Sequence, residues 1–283
     1  MIYPDNLEHK INFDAVRDYL SRLCASPLGR HHCEQMSFST RYDEVRRRLC
    51  QTDEMRGIVE ADAGLALTGI NDCRQLLASL RVPGSFPAES ELPPLRSSLG
   101  AMADIANFFA KLRHVDDETG HVSSPYPELD ALAAGLMPFN GITAAIDRIV
   151  DRHGDIKDNA SPELAEIRRS MAATAGSINS AIRRVMARAV AEGYIDSDAT
   201  PSVRDGRLVI PVAPMYKRKI QGIVHDESAS GKTFFIEPAE VVEANNRLRE
   251  LGIEERREIV RILTALADVI RPEIDNLLDG FDL

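Results

Sequence analysis

The fold class is decided by the stretch Val203-Arg204-Asp205-Gly206-Arg207-Leu208-Val209-Ile210-Pro211-Val212. An Asp-Gly pair between strand-forming residues predicts a hairpin with a two-residue turn, because both central positions of that turn need a positive φ. Two further strand candidates follow at 219–227 and 233–236, separated by the turn-like sequence Ser228-Ala229-Ser230-Gly231. The sequence therefore predicts a small β unit over residues 194–238.

Long helices flank the β unit on both sides. Ser161-Pro162-Glu163 supplies an N-cap, an N1 proline and a first-turn acid, and Gly193 ends the first helix. The second helix is predicted over 238–270, with a matching length. The first helix carries apolar residues at spacings of three and four, close to a coiled-coil seam: Leu164, Ile167, Met171, Ala175, Ile178, Ile182, Val185 and Ala189.

The amino-terminal half is predicted to form several ordinary helices. Asn12 and Ser26-Pro27 are candidate helix starts, and Thr40 followed by Asp43 and Glu44 resembles a capping box. Apolar residues at helical spacing mark a further helix: Leu92, Leu95, Leu99, Met102, Ile105 and Phe109. The predicted architecture is mainly α. It has a multi-helix core over 1–157, two long antiparallel lever helices over 158–193 and 239–283, and a small inserted β-structured clamp over 194–238.

Bulk composition excludes several classes of protein. The chain has 283 residues and 44% hydrophobic residues, and it lacks the run of about 20 apolar residues that a bilayer-spanning helix needs. Met1–Asp5 has neither the basic nor the apolar region of a signal peptide. The four cysteines show no CxxC spacing, so reduced thiols are expected. We therefore expect a cytoplasmic protein with no membrane partner.

Positive charge is concentrated in the second half of the chain. The net charge of −10 argues against a generic polyanion binder. Between Glu163 and Lys232, however, eleven Lys and Arg stand against eight Asp and Glu, a local charge of +3. Within residues 203–232 the candidate nucleic-acid-binding side chains are Arg204, Arg207, Lys217, Arg218, Lys219 and Lys232.

Ser230-Gly231-Lys232-Thr233 resembles the end of a phosphate-binding loop but lacks its context. The full pattern needs a glycine at the position of Asp226, and a helix after the loop. Phe234-Phe235-Ile236 instead predicts a strand. A hairpin turn is therefore the better interpretation of this motif.

Neither a catalytic centre nor a metal site is predicted. His31-His32-Cys33 are consecutive, and consecutive helical side chains point about 100° apart, so they cannot converge on one ion by themselves. His225 and Asp226 alternate between strand faces in the same way. No serine or cysteine triad is evident, so this chain is assigned no catalytic and no metal-binding residue.

Several stretches resemble the MutS type-two family of bacteria. The resemblance is strong over about 160–270 and looser over 1–160. The stretches that carry it are Ala160–Leu164, Arg207–Val212, Gly222–Pro238 and Val241–Leu248, with Phe13-Asp14 and Ser26-Pro27-Leu28-Gly29 in the amino-terminal part.

The resemblance implies a lever and clamp region that precedes an ATPase domain. Proteins of this family look like mismatch-repair MutS without its mismatch-reading domains, and they dimerise through an ATPase domain that uses ATP and Mg. Many also carry a nuclease domain. The present chain ends at Leu283 before any ATPase motif, so we expect it to be part of a longer enzyme. No cofactor is expected in this chain itself.

Three roles for the β unit remain open. In the first, its basic residues clamp branched or mismatched DNA, in DNA repair or suppression of recombination, while the levers relay the ATPase state. In the second, it is a wedge that contacts ribosomal RNA, in a protein that splits or rescues stalled ribosomes. In the third, the β unit closes the homodimer against its twin, with Phe234, Phe235 and Ile236 as contacts.

Overall fold

The computed structural model describes residues 6–115 and 121–283. The chain divides into two compact units, Met1–Lys157 with Leu263–Leu283, and Asp158–Ile262. Within the described residues, no helix has both the length and the apolarity needed to cross a membrane. Met1–Asp5, where no signal peptide is predicted, lies outside the described residues.

Eleven helices and six strands follow one another along the described chain. In chain order they are α1 (Leu7–Lys10), α2 (Phe13–Leu23), α3 (Pro27–Glu34), α4 (Tyr42–Glu60), α5 (Arg74–Leu80), α6 (Leu92–Leu112), β1 (His114–Val115), β2 (Val122–Ser123), α7 (Pro127–Ala133), α8 (Asn140–Ile149), α9 (Pro162–Ala191), β3 (Ser202–Arg204), β4 (Arg207–Val212), β5 (Gly222–Glu227), β6 (Phe234–Pro238), α10 (Ala239–Ile270) and α11 (Ile274–Asp282). The protein is therefore mainly helical, as predicted, with a small antiparallel four-stranded sheet.

The predicted helix starts lie close to the observed ones, but not every predicted capping side chain forms a cap. Ser26 Oγ accepts a hydrogen bond from Gly29 N at 3.0 Å, so this cap is confirmed. Asn12 precedes α2 with a φ of 61° and makes no side-chain cap. The capping box predicted at Thr40 is wrong: α4 begins at Tyr42, and its first-turn acid Glu44 accepts a hydrogen bond from Ser39 instead.

Apolar helix faces build the core of the first unit. Ile58 of α4, Phe109 of α6 and Leu129 and Ala133 of α7 form one buried cluster. Of the predicted stripe on α6, Leu92, Leu95, Leu99, Met102 and Phe109 are buried, and Ile105 is half-buried against the same cluster. The cysteines Cys24, Cys33, Cys50 and Cys73 are free thiols.

Within the second unit, α9 runs antiparallel to the part of α10 that belongs to it. Ser161, at the start of α9, donates a hydrogen bond of 2.6 Å to Glu258. Arg188, near the end of α9, forms a 2.7 Å ion pair with Glu240 in the first turn of α10. The first contact joins the start of α9 to a later part of α10, and the second joins the end of α9 to the start of α10. The chain therefore reverses direction between the two helices.

The apolar stripe of α9 is buried unevenly. Its buried members lie at the start and in the second half of the helix, and its middle is only half-buried. The buried members are Leu164, Ile178, Ile182, Val185 and Ala189, and the half-buried ones are Ile167, Met171 and Ala175. The continuous coiled-coil seam that the spacing predicts is therefore interrupted over about three turns.

The four strands form one antiparallel sheet in the order β3-β4-β6-β5. Both central residues of the β3–β4 turn have positive φ, 50° at Asp205 and 75° at Gly206, which confirms the predicted hairpin. Val224 pairs with Ile236 and Asp226 pairs with Phe235, so the intervening residue forms a β-bulge in β5. The bulge displaces the side chain of one residue from the regular alternation.

The sheet shares a hydrophobic core with the two long helices. Ile210 of β4 and Ile236 of β6 pack in one buried cluster with Ile182 and Val185 of α9 and Val241 of α10. A β unit of about 45 residues has only a marginal core of its own. Packing on the helix ends therefore supplies the apolar contacts that stabilise it.

Gly222 is required where β5 meets β6. A Cβ atom added at Gly222 would lie 2.1 Å from the carbonyl oxygen of Glu237. Replacing Gly222 by alanine should therefore force β5 away from β6 and lower the free energy of unfolding by about 1–3 kcal/mol or more. Urea unfolding followed by circular dichroism measures this change.

Gly176→Ala is the matched control for this substitution. Gly176 lies inside α9, and a Cβ atom there meets nothing within 4 Å. Alanine should stabilise the helix by about 0.5–1 kcal/mol. Equal effects of the two substitutions would contradict the close approach at Gly222.

Candidate nucleic-acid interface

The structure places the six predicted basic residues around the four-stranded sheet. Val212 pairs with Phe234, so the end of β4 and the start of β6 lie together. Lys232 precedes β6 and Lys217 Nζ lies 4.1 Å from the Phe234 ring, which places these two residues at that end. Arg218 and Lys219 follow Lys217 in the segment that leads from β4 to the start of β5. Arg204 and Arg207 flank the hairpin turn at the start of β4.

Arg207 is held by a buried carboxylate and is not available to a ligand in the described structure. Its Nη1 donates to both carboxylate oxygens of Glu237, at 2.8 and 3.0 Å. Glu237 is fully buried. His225 Nε2 lies 2.5 Å from the second oxygen, and Asn245 Nδ2 donates to the first at 2.8 Å. The guanidinium of Arg207 therefore compensates the buried negative charge of Glu237.

These partners keep Glu237 ionised despite its burial. Burial alone would raise the pKa of the carboxyl, because a low-dielectric environment disfavours the charged form. Hydrogen bonds from Asn245, His225 and Arg207 outweigh burial and hold the pKa below its ordinary value. The His225 side chain reaches this carboxylate from the bulge in β5.

Arg204 is also partly engaged by neighbouring strands. Its Nε lies 3.1 Å from Asp226 Oδ2, and its guanidinium carbon lies 4.1 Å from the centre of the Phe235 ring. The side chain keeps 38% of its surface exposed. Arg204 can therefore meet a phosphate only in competition with Asp226.

The other four residues form an exposed basic end, here called the basic tip: Lys217, Arg218, Lys219 and Lys232. Lys217 Nζ lies 4.1 Å above the Phe234 ring, a cation–π contact that holds the amine without neutralising it. The side chains of Arg218, Lys219 and Lys232 have no ion pair or hydrogen bond among the described residues. The basic tip is the part of the predicted set that forms no ion pair in residues 6–115 and 121–283, although Asp196 and Asp198 line the same cavity as Lys232.

The motif at Lys232 does not fit a nucleotide phosphate. Gly231 N donates to Ser228 O at 2.8 Å, and Thr233 N donates to Ser228 Oγ at 3.0 Å, so both amides are used inside the turn. The next element is strand β6. Phosphate-loop binding needs amides that point outward at a helix start. Ser230–Thr233 instead belongs to the hairpin connection between β5 and β6, as predicted, with a β-turn at Ser228–Gly231.

Two tyrosines beside the basic tip were missed by the sequence analysis. Tyr194 and Tyr216 have ring centres 5.3 Å apart, with their planes inclined by 36°. They line a polar cavity of about 360 Å³ together with Lys232, Asp196 and Asp198. The one local signal was an aromatic residue directly before the three basic residues 217–219.

No cluster with the chemistry of a metal site is found in residues 6–115 and 121–283. Within these ranges, no three His, Cys, Asp or Glu side chains are placed to share an ion. Asp226 is engaged by Arg204, and His225 by Glu237.

The fold and site together define a mainly α protein whose small antiparallel sheet carries an exposed basic end. Along nearly its whole length the chain is similar to bacterial proteins named endonuclease MutS2. It is 33% identical over 275 residues to that of Geobacillus sp. (strain WCH70), which covers 97% of the chain and 34% of the relative. It is 36% identical over 273 residues to that of Symbiobacterium thermophilum, covering 95% of the chain and 32% of the relative.

A third relative, endonuclease MutS2 of Halalkalibacterium halodurans, is 31% identical over 273 residues, or 96% of the chain and 34% of the relative. The chain thus spans about a third of the length of the curated relatives it matches. No family model matches the chain.

Glu237→Gln should destabilise the protein most at neutral pH. The substitution removes the charge that pairs with Arg207, so the free energy of unfolding should fall by about 3 kcal/mol at neutral pH. Because the folded pKa of Glu237 is depressed, its contribution is present above the ordinary value near 4.3 and is lost as pH falls through the lower folded value. The difference in the free energy of unfolding between the wild type and Glu237→Gln should therefore become smaller in acid.

Urea unfolding from about pH 7 down to pH 3 measures this gap. Glu243→Gln is the control, since Glu243 is exposed on α10 and has no ion pair among the described residues. A gap for Glu237→Gln that is constant over this range would contradict an ionised, bonded carboxylate.

Proposed function

We propose that the chain belongs to the MutS type-two family and forms a non-catalytic region of a longer, dimeric MutS-like ATPase in the cytoplasm. The support is the similarity to proteins named endonuclease MutS2 over 95–97% of the chain. Nuclease activity, ATP and Mg belong in this proposal to the part of the relatives that the chain does not span. No residue described here is assigned a catalytic role.

The basic tip is proposed to bind a nucleic-acid backbone. The observation that carries this proposal is that Arg218, Lys219 and Lys232, together with Lys217, are exposed and form no ion pair among the described residues. Basic side chains on phosphates provide affinity without reading sequence. Tyr194 and Tyr216 add aromatic surface of the kind on which unpaired bases stack. Both features suit DNA that is branched or mismatched, where bases are less completely stacked.

The long helices are proposed to act as levers between the β unit and the ATPase domain. Hydrogen bonds and ion pairs tie α9 to α10 at both ends, at Ser161–Glu258 and Arg188–Glu240. A pair tied at both ends resists sliding of one helix along the other. It would therefore transmit a displacement to the sheet, whose core it shares.

Replacing Lys217, Arg218 and Lys219 by alanine should weaken DNA binding and reduce its salt dependence. Each phosphate contact that is lost lowers the slope of log K against log salt by about 0.9 for duplex DNA, so the triple variant should lose up to about 2.7. Fluorescence anisotropy with a labelled four-way junction at several salt concentrations measures both quantities.

A charge-matched control separates the basic tip from net charge. Arg22, Arg46 and Arg47 are exposed in the first unit and have no ion pair among the described residues. Their triple alanine variant should keep at least most of the wild-type slope. If both triple variants lose the same affinity, the basic tip is not the contact surface.

The choice between DNA and the ribosome needs a direct comparison. The same basic residues suit folded ribosomal RNA, so we would measure co-sedimentation with ribosomes and junction binding for the wild type and the tip variant. Loss of junction binding with ribosome binding unchanged supports the DNA clamp. Loss of ribosome binding alone supports the wedge in its place.

A further inference from the structure

A second basic surface lies along α10, away from the basic tip. It is a groove of about 910 Å³ within the second unit, lined by Arg249, Arg256 and Arg257 and by the turn residues Asp205 and Gly206. Arg249 and Arg256 are separated by two helical turns, so their side chains lie on the same face of the helix. All three arginines are exposed.

Arg249, Arg256 and Arg257 form no ion pair with the described acidic residues near them. The acidic side chains in this stretch of α10 are bonded to arginines outside the groove. Glu250 and Glu254 pair with Arg247, Glu255 pairs with Arg168, and Glu258 pairs with Arg261. Over residues 6–115 and 121–283, the side chains of Arg249, Arg256 and Arg257 have no ion pair or hydrogen bond. The unpaired positive charge of residues 247–261 of α10 therefore lies on the arginines that line the groove.

The floor of the groove is open to a ligand. Gly252 carries no side chain there, and a Cβ atom at this position would meet nothing within 4 Å. Ile253 beside it is 49% exposed. Asp205 is the acidic residue among the groove's lining, which leaves a local charge of +2 from three arginines and one aspartate.

We propose that this groove binds the phosphate backbone of a nucleic-acid strand, as a second contact surface beyond the basic tip. Residues 249–257 span about 12 Å at 1.5 Å per residue. Phosphates of one duplex strand are spaced about 3.4 Å apart along the axis, so the groove matches roughly three of them. Guanidinium groups suit this role because they bind phosphate oxygens in a bidentate fork.

The inference does not depend on the proposed role of the basic tip. The groove lies by the β3–β4 turn, whereas the basic tip comes from the segment Lys217–Lys219 after β4 and from Lys232 before β6. The two surfaces share no side chain. Either one can therefore fail without the other.

The test replaces Arg249, Arg256 and Arg257 together by glutamine and measures binding to a labelled DNA duplex across a salt series. We expect weaker binding and a salt slope lower by up to about 2.7, one phosphate for each arginine. The control is the triple glutamine variant at Arg22, Arg46 and Arg47. A groove variant that matches this control in affinity and slope overturns the inference.

Asp205→Asn provides a test in the opposite direction. Asn-Gly suits the hairpin turn as well as Asp-Gly, so the fold is retained while the carboxylate that faces the arginines is removed. We expect tighter binding and a steeper salt slope. Unchanged or weaker binding overturns the inference.

Comparison with the tip variant separates the two proposals. If Lys217, Arg218 and Lys219 matter but the three groove arginines do not, the proposed function stands and the groove proposal falls. If only the groove arginines matter, the groove proposal stands and the tip is not the contact. A groove variant that changes the sedimentation coefficient while DNA affinity stays constant identifies a protein contact and overturns the inference.

Discussion

A single buried carboxylate joins the sheet to the long helix α10. Glu237 stands near the end of β6 and receives hydrogen bonds from Arg207 of β4, His225 of β5 and Asn245 of α10. An ionised group without water is tolerated only when such partners surround it. Displacing any one of these elements would leave the charge unsatisfied, so the register of the sheet and its placement on α10 are fixed together.

This constraint also determines which basic residues remain for a ligand. At the hairpin end of the sheet, Arg207 is committed to Glu237 and Arg204 to Asp226. In the segments between β4 and β5 and between β5 and β6, no carboxylate pairs with Arg218, Lys219 or Lys232 among the described residues. The basic residues of this short stretch thus fall into two sets. The first set is paired with carboxylates of the protein, and the second set is exposed and unpaired among the described residues. The proposed function rests on the second set alone.

Local sequence rules predicted the elements well but not the pairing of charges. Asp205-Gly206 and Ser161-Pro162 specify a turn and a helix start within a few residues, and both are present. The partner of Arg207 lies 30 positions away, and no local pattern distinguishes that arginine from Arg218. The interrupted burial of α9 has the same cause: a stripe predicts which face is apolar, but what covers that face depends on distant parts of the chain.

The bulge in β5 has a consequence for the free edge of the sheet. β5 is an outer strand, and Ile223 and Val224 are 48% and 39% exposed on it. An even, apolar edge would offer a template for a strand of another molecule. The bulge directly after Val224 breaks the regular row of backbone donors and acceptors, so an incoming strand cannot align along the whole edge. The same irregularity that lies beside the His225–Glu237 contact therefore also makes this edge a poorer template for pairing with a strand of another molecule.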